Sequence, residues 1–234
     1  MAAEAAPPLH PPEHVREVFA AFIGLHRMMR VRGFTEGTED PDAVAWPGFR
    51  ARFCDDLPPE DDPAGLGVRL RSRAELGATV RSPASGAVVV CRWADDPKIG
   101  VKWLASVRGD AEAAGARRAV VVGIQQMTPF AKTSAAAHGR RGLRIEFFTQ
   151  AELCSHPLRH ALAPAVRVLT PAEVAELLRL LGATQTKGVL PALVRTDAVV
   201  RALGLCPGQV VQVERPLRTV PFPGATVCEY RLVV

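Results

Sequence analysis

Cys154, His156 and His160 bring thiol and imidazole side chains into one short stretch, and these are residue types that hold zinc. Their spacing matches no common zinc pattern and no fourth ligand stands nearby, so they are expected to be structural or solvated, with no metal. Asp55, Asp56, Glu60, Asp61 and Asp62 crowd a proline-rich connector over residues 55–65. With no flanking histidine or basic partner, that run offers no pair suited to general acid–base work. Phosphate-cradling glycine loops and dinucleotide fingerprints are absent, and no cofactor is expected. Cys54, Cys91, Cys154, Cys206 and Cys228 are scattered without a C-x-x-C pair, which argues against disulfides. The cationic candidates are Arg117 with Arg118, and His138-Gly139-Arg140-Arg141 followed by Arg144. Short clusters of this kind usually lie on solvated turns, with a nucleic-acid contact as the alternative.

Little in the composition narrows the function further. A hydrophobic share of 48% beside 23% charged residues is ordinary for a soluble globular chain of 234 residues. The net charge of +5 is compatible with an acidic partner such as nucleic acid. No apolar run is long enough to span a bilayer and no leader pattern opens the chain, so an intracellular protein without a membrane partner is expected.

The elements that must position these residues read as strand and helix in alternation. Residues 1–12 are rich in Ala and Pro and are expected to be a disordered tail. Val15, Val18, Phe19, Phe22 and Met29 give residues 13–32 the period of an amphipathic helix ended by Gly33. A second helix restarts at Pro47, with Phe49 and Phe53 one turn apart. Residues 66–93 read as β-hairpin material, with an apolar run over 87–93. A helix over 101–114 turns Leu104, Val107 and Ala111 inward, and 118–124 is apolar enough for a buried strand of a parallel sheet. Thr128 caps the next helix with Pro129 at its first position, and another strand follows over 142–148. Thr170 and Glu173 form a capping box before Val174, Leu177, Leu178 and Leu181.

The last stretch is the most specific. Asp197 caps a helix over 198–203, Gly204 ends it in the left-handed region, and Pro207-Gly208 fits a type II turn. Strands follow over 209–215, with Val211 and Val213 on one face, and over 227–234, with Cys228, Tyr230, Leu232 and Val234 on one side. Because the given chain stops inside that strand, its final residues are expected to be paired and packed.

That stretch, with Gly204, Leu205, Gly208, Gln209, Val210, Val211, Arg215, Pro216, Tyr230, Arg231, Leu232 and Val233, resembles the end of RNA polymerase subunit 5. This is the small subunit shared by eukaryotic nuclear polymerases, and it has a counterpart in the archaeal enzyme. The resemblance continues through His160, Leu162, Pro164, the helix over 170–178, Leu190-Pro191, Asp197 and Arg201. In the first half, Pro97-Lys98-Ile99-Gly100-Val101-Lys102 and Gln125-Gln126-Met127-Thr128-Pro129-Phe130-Ala131-Lys132 are similar to two of the family's segments. Residues 1–96 match in outline only. Ala198, Leu217 and Phe130 stand where the family has proline, serine and serine.

The resemblance implies a mixed α/β (α+β) chain. Residues 13–150 form an N-terminal α/β jaw domain similar to the restriction-endonuclease-like fold, and residues 151–234 a small α+β assembly domain. It implies a non-catalytic subunit of a multisubunit DNA-directed RNA polymerase, with the largest subunit, other subunits and downstream duplex DNA as partners. Thr128, Pro129, Phe130, Ala131 and Lys132 would face the duplex. His160, Pro164, Arg201, Gly204, Gly208, Gln209, Val210, Val211, Arg215, Tyr230, Arg231 and Leu232 would serve the subunit interface. Having the first domain resembles the eukaryotic or large-DNA-virus form. The place of action would be the nucleus, or a virion, host cytoplasm or host nucleus. The alternative is a protein of nuclease-like fold that binds or cleaves DNA alone. Cleavage needs an Asp and a Glu-x-Lys on adjoining strand ends to hold Mg²⁺, whereas 87–93 carries no carboxylate and Gly100 stands where the glutamate would be.

Overall fold

Helix α1 (Glu13–Val31) forms where Val15, Val18, Phe22, Leu25 and Met29 recur at helical spacing, and all of them are buried. The computed structural model describes residues 13–56, 67–155, 157–159, 163–216 and 226–234. The Ala/Pro-rich tail and most of the acidic connector lie outside them. Gly33, at φ 83°, closes α1, and Phe34 donates its N–H back to the Met29 carbonyl. Helix α2 (Trp46–Phe53) lays Phe49 and Phe53 against α1, and Phe49 sits 5.0 Å from Phe19 and 5.4 Å from Phe22.

The rest of the first unit, Met1–Ser155, is built on strands. They are β1 (Cys54–Asp56), β2 (Val68–Leu70), β3 (Ala78–Arg81) and β4 (Val88–Trp93). Helix α3 (Val101–Ala113), β5 (Arg118–Gly123), α4 (Pro129–Arg140), β6 (Arg144–Thr149) and α5 (Gln150–Cys154) follow. The main sheet has the order β3-β4-β5-β6, with β3 antiparallel to β4 and the other pairs parallel. Alternation then divides the core. Val89, Cys91, Trp93, Val120, Val122 and Phe148 join α1, while Val90, Ala119 and Val121 meet Leu104, Val107 and Ala111 of α3 and Ala131 and Ala135 of α4.

Three local readings change. The stretch 66–93 is not one hairpin: β2 pairs with β1, and the hairpin is β3 with β4. Asp56 and Asp55, read as lacking basic partners, pair with Arg50 at 2.7 Å and Arg71 at 3.3 Å. The first unit also runs past Gln150, because Thr149 and Glu152 close a capping box that starts α5, and α5 packs on α1.

Two buried polar contacts brace α1. The Arg32 guanidinium meets Glu146 of β6 at 2.8 Å with both side chains almost fully covered. Burial lowers the pKa of Arg32, opposed by Glu146. His26, also buried, accepts the Glu39 N–H at Nδ1 over 3.0 Å, so its ring is held neutral.

The second unit, His156–Val234, contains β7 (Ala165–Val168), α6 (Pro171–Leu180), β8 (Ala192–Leu193), α7 (Ala198–Leu203), β9 (Val210–Pro216) and β10 (Thr226–Val233). Its sheet runs β7-β9-β10-β8, with β10 parallel to β8 and the other pairs antiparallel. Thr170 and Glu173 form the expected capping box, and the Thr170 N–H, ahead of the Arg167 guanidinium, holds the Glu173 carboxyl down to about 2. Asp197 caps α7 through the Val199 and Val200 N–H groups, and Gly204 leaves it at φ 65°. Val211 and Val213 share a face as expected, and so do Tyr230 and Leu232, but both faces of β9 and β10 pack. Val211, Val213 and Val233 pack with Val200 and Leu205, while Val210 and Leu232 pack with Leu169 and Leu177. The final residues are paired: Val234 donates to the Leu193 carbonyl and accepts from Arg195, each at 3.0 Å.

Gly24 is where α1 and α5 approach most closely. A Cβ there would land on the Leu153 carbonyl oxygen and within 2.9 Å of its carbon. Gly24→Ala is expected to destabilise the chain by about 1–3 kcal/mol in urea unfolding, since backbone must shift. Gly109→Ala in α3, where a Cβ meets nothing within 4 Å, is expected to stabilise by about 0.5–1 kcal/mol. His26 supplies a pH prediction. Burial, more than the opposing Glu39 and the assisting Arg52, lowers its pKa from 6.5 to about 4. The unfolded chain therefore binds the extra proton first, and stability present above pH 6.5 declines as pH falls towards 4. Unfolding free energy is expected to drop by roughly 3 kcal/mol more over that window than in His26→Gln, and equal slopes would refute the assignment.

Candidate functional site

The carboxyl ends of the parallel strands β4 and β5 carry the two first-half segments that resemble the polymerase family. The structure brings them together. Thr128 donates its N–H and its hydroxyl to the Ile99 carbonyl, at 3.4 and 3.3 Å. Gly123 permits the approach: a Cβ there would stand 2.8 Å from Ile99 Cδ1 and 2.9 Å from Phe147 Cε2. Ile99 is buried, while Lys98 and Lys102 on either side are exposed. Lys132, one turn into α4, is exposed as well.

The two helix starts differ as anion sites. In α4, Pro129 has no N–H, Ala131 donates to Thr128 Oγ1 at 3.2 Å, and Lys132 donates to the Thr128 carbonyl at 2.9 Å. In this first turn the Phe130 N–H alone is left without one of these partners. Helix α3 begins at Gly100 with no side-chain cap, so its first-turn donors stay open towards the same end of the sheet. Neither first turn holds an acid. Phe130 itself is 80% exposed, the most exposed large apolar side chain among the described residues.

The arginine clusters separate on inspection of their neighbours. Arg144 and Arg118 approach Glu146 at 3.3 and 3.9 Å, joining the Arg32 pair as structural groups. Arg117, Arg140 and Arg141 are exposed, while His138 is buried within 3.4 Å of the Ser134 hydroxyl. Every ion pair found among the described residues uses arginine, and none uses any of the four lysines, Lys98, Lys102, Lys132 and Lys187. Among the described residues no three of His, Cys, Asp and Glu gather to hold a metal ion. His156 and His160 lie outside those residues. Cys154 donates its thiol to the Glu17 carbonyl at 3.2 Å, and burial pushes the Cys91 thiol up to about 12. Strand β4 carries no carboxylate, and Lys102 lies on α3 rather than on a strand.

In the second unit most of the residues assigned to the subunit interface build the fold. Val210, Val211 and Leu232 are buried. Gly208, at φ 90°, donates to the Val233 carbonyl, and the Gln209 side chain accepts the Cys206 N–H at 2.6 Å. Arg231 pairs with Glu229 at 2.9 Å. Surface is left at Arg215, which is exposed, and at Pro164, Arg201 and Tyr230, which are half-buried. Tyr230 lines a groove of about 400 Å³ with Leu169, Leu177, Leu180, Arg167 and Glu173. Beside it Leu180 is 69% and Leu181 51% exposed, so the apolar positions that follow the capping box do not all pack. A stripe wider than the face that packs was the available signal. No helix among the described residues is long and apolar enough to cross a membrane.

The family model described as RNA polymerase Rpb5, C-terminal domain, matches residues 156–233. The DNA-directed RNA polymerases I, II, and III subunit RPABC1 of Caenorhabditis briggsae is 31% identical over 208 residues, 89% of this chain and 91% of that protein. The Caenorhabditis elegans protein of the same description is 34% identical over 140 residues, 60% of this chain and 63% of its own length. The Dictyostelium discoideum counterpart is 34% identical over 126 residues, 53% and 63% of the two lengths. The family model covers the second unit and the first of these relatives spans both: the chain belongs to the RNA polymerase Rpb5 family.

Proposed function

We propose that the chain is a non-catalytic subunit of a multisubunit DNA-directed RNA polymerase, working in the nucleus of a cell. Its second unit docks on the largest subunit and its first unit shapes the downstream-DNA side of the cleft. The observation that carries this reading is the relative described as a shared polymerase subunit, matched over 91% of its length. Chemistry at the surface supports the details. The segment from Thr128 to Lys132, with Lys98, Lys102 and the open first turn of α3, supplies positive charge and backbone donors suited to phosphates. Leu180, Leu181 and the groove at Tyr230 offer the second unit an apolar surface for a protein partner. Pro164, Arg201 and Arg215 keep surface beside the packed motif residues, and His160 is assigned with them.

The test is made in the assembled enzyme. Lys132→Glu is expected to leave assembly intact and weaken retention of downstream duplex by about 1 kcal/mol, with a shallower salt dependence. An unaltered salt slope would count against the duplex-facing role. Deleting residues 230–234 removes the register partners of Val210, Val211 and Gln212 and the bonds to Pro191, Leu193 and Gln209. The second unit is expected to unfold and co-purification with the largest subunit to fail, while proteolysis spares the first unit. Normal incorporation of the truncated chain would sink the docking assignment.

A further inference from the structure

The amino ends of β5 and β6 carry a second concentration of positive charge, made of arginine instead of lysine. Arg117 stands one residue before β5, and Arg140 and Arg141 end α4 just ahead of β6. Two matching turns bring them together. Ala116 donates to the Ala111 carbonyl at 2.8 Å and Gly115 to that of Glu112 at 3.1 Å. Leu143 donates to the His138 carbonyl at 3.1 Å and Gly142 to that of Gly139 at 3.2 Å. With Gly115 at φ 64° and Gly142 at φ 95°, both helices close in the same left-handed glycine cap. The Arg144 N–H then bonds the Arg117 carbonyl at 3.0 Å, which sets the two turns side by side. All three arginines are exposed, and none enters an ion pair among the described residues.

The neighbouring acids are already engaged. Glu146 takes Arg32, Arg118 and Arg144, while Asp110 takes Arg92 at 2.7 Å and Glu112 takes Arg108 at 3.4 Å. Glu36 is exposed, but it is bridged to Arg81 of β3, at the far edge of the sheet. The loops 82–87, 114–117 and 141–143 contain no acid. A basic residue in a last turn complements the helix dipole, which accounts for Arg140. It does not account for Arg117, four residues beyond α3 and brought alongside.

We propose that Arg117, Arg140 and Arg141 form a docking site for an acidic polypeptide segment, whose carboxylates they pair. Charge complementarity sets the sign of the partner, and the helix ends set its kind. Both α3 and α4 finish here, and their last carbonyls carry partial negative charge and accept hydrogen bonds. A phosphodiester backbone brings acceptors only, whereas a polypeptide brings carboxylates for the arginines and N–H donors for the carbonyls. Arginine is also the group this fold uses to hold carboxylates. The site is separated from Lys98, Lys102 and Lys132 by the six residues of β5, about 20 Å of strand, and is independent of the duplex-facing reading.

The test follows binding of the full chain to a fluorescein-labelled peptide of alternating Glu and Ser by anisotropy. The combined variant Arg117→Glu, Arg140→Glu, Arg141→Glu is expected to lose about tenfold or more in affinity. A control with Arg30→Glu, Arg69→Glu and Lys187→Glu, exposed cations of other surfaces, changes net charge equally and is expected to stay within about twofold of the parent. Equal losses in the two variants, or no binding by the parent, would overturn the site. Replacing the three arginines by lysine keeps the charge at the end of α4, and so the fold, but removes the fork; a loss of about threefold or more is expected. Full affinity in that variant would rule out carboxylate pairing by arginine. A single-stranded oligonucleotide of the same charge is expected to lose no more with the arginine-to-glutamate variant than with the control. A selective loss of oligonucleotide binding there would reassign the patch to nucleic acid and end the polypeptide proposal.

Discussion

Strand β5 has bonded strands on both edges and helices over both faces, and its residues 119–123 are all buried. Backbone groups so deep in the unit must find partners within the sheet, because water is not available to satisfy them. Parallel pairing on both sides does that, but it requires a crossover element on either side of β5. Helices α3 and α4 are those crossovers, and their apolar faces meet in one cluster over Ala119 and Val121. Each then begins near the carboxyl end of the strand before it. The convergence of two helix starts, and of the segments that carry Lys98, Lys102, Phe130 and Lys132, is therefore a consequence of burying β5. The carboxyl end of the sheet is where topology delivers two helix starts at once, that of α4 capped by Thr128 and that of α3 without a side-chain cap.

The second unit solves a different problem. It is small, and a sheet covered on one face only would leave it little core. Strands β9 and β10 use both faces, with Val211, Val213 and Val233 towards α7 and Val210 and Leu232 towards α6. Consecutive buried residues replace simple alternation at the inner ends of these strands. The terminal bonds of residues 232–234 close the arrangement by engaging Pro191, Leu193, Arg195, Gly208 and Gln209. Motif residues that look as though they should touch a partner are thus buried or held in turns. What they maintain is the shape of the unit, and the exposed and half-buried residues around them form its surface.

Much of this was legible because local signals and global fold agree. The caps at Thr128, Thr170 and Asp197, the glycine at 204 and the buried run of β5 are decided within a few residues, and each stands where the pattern put it. Three features were not legible, for separate physical reasons. The pairing of β2 with β1 joins strands of three residues each, too short for periodicity to specify a partner. The start of α5 was present as Thr149 and Glu152, but a capping box before so short a helix has no apolar stripe to confirm it. The Arg32–Glu146 contact unites residues 114 positions apart, which no local pattern contains. Of the candidate site, residue identities were visible in the sequence. The closing of most α4 donors by Thr128, and the open turn of α3, depend on geometry alone.

Charge type completes the argument. Arginine's fork holds carboxylates in fixed geometry, and the ion pairs of the described residues, from the buried Arg32–Glu146 contact to the exposed Arg179–Glu176 pair, use it throughout. Lysine carries a compact, hydrated charge on a flexible stem, better suited to following a partner that moves past than to fixing a neighbour. The chain has four lysines, and three lie on the paired segments at the carboxyl ends of β4 and β5. Net charge alone would predict only a diffuse positive field, screened over about 10 Å in ordinary salt. The division of labour between the two cations adds a local excess to that diffuse one, because many arginines pair with acids within the fold and, among the described residues, no lysine does. The carboxyl ends of β4 and β5 thereby carry charge that is concentrated, solvated and, among the described residues, outside the ion pairs with the protein's own acids.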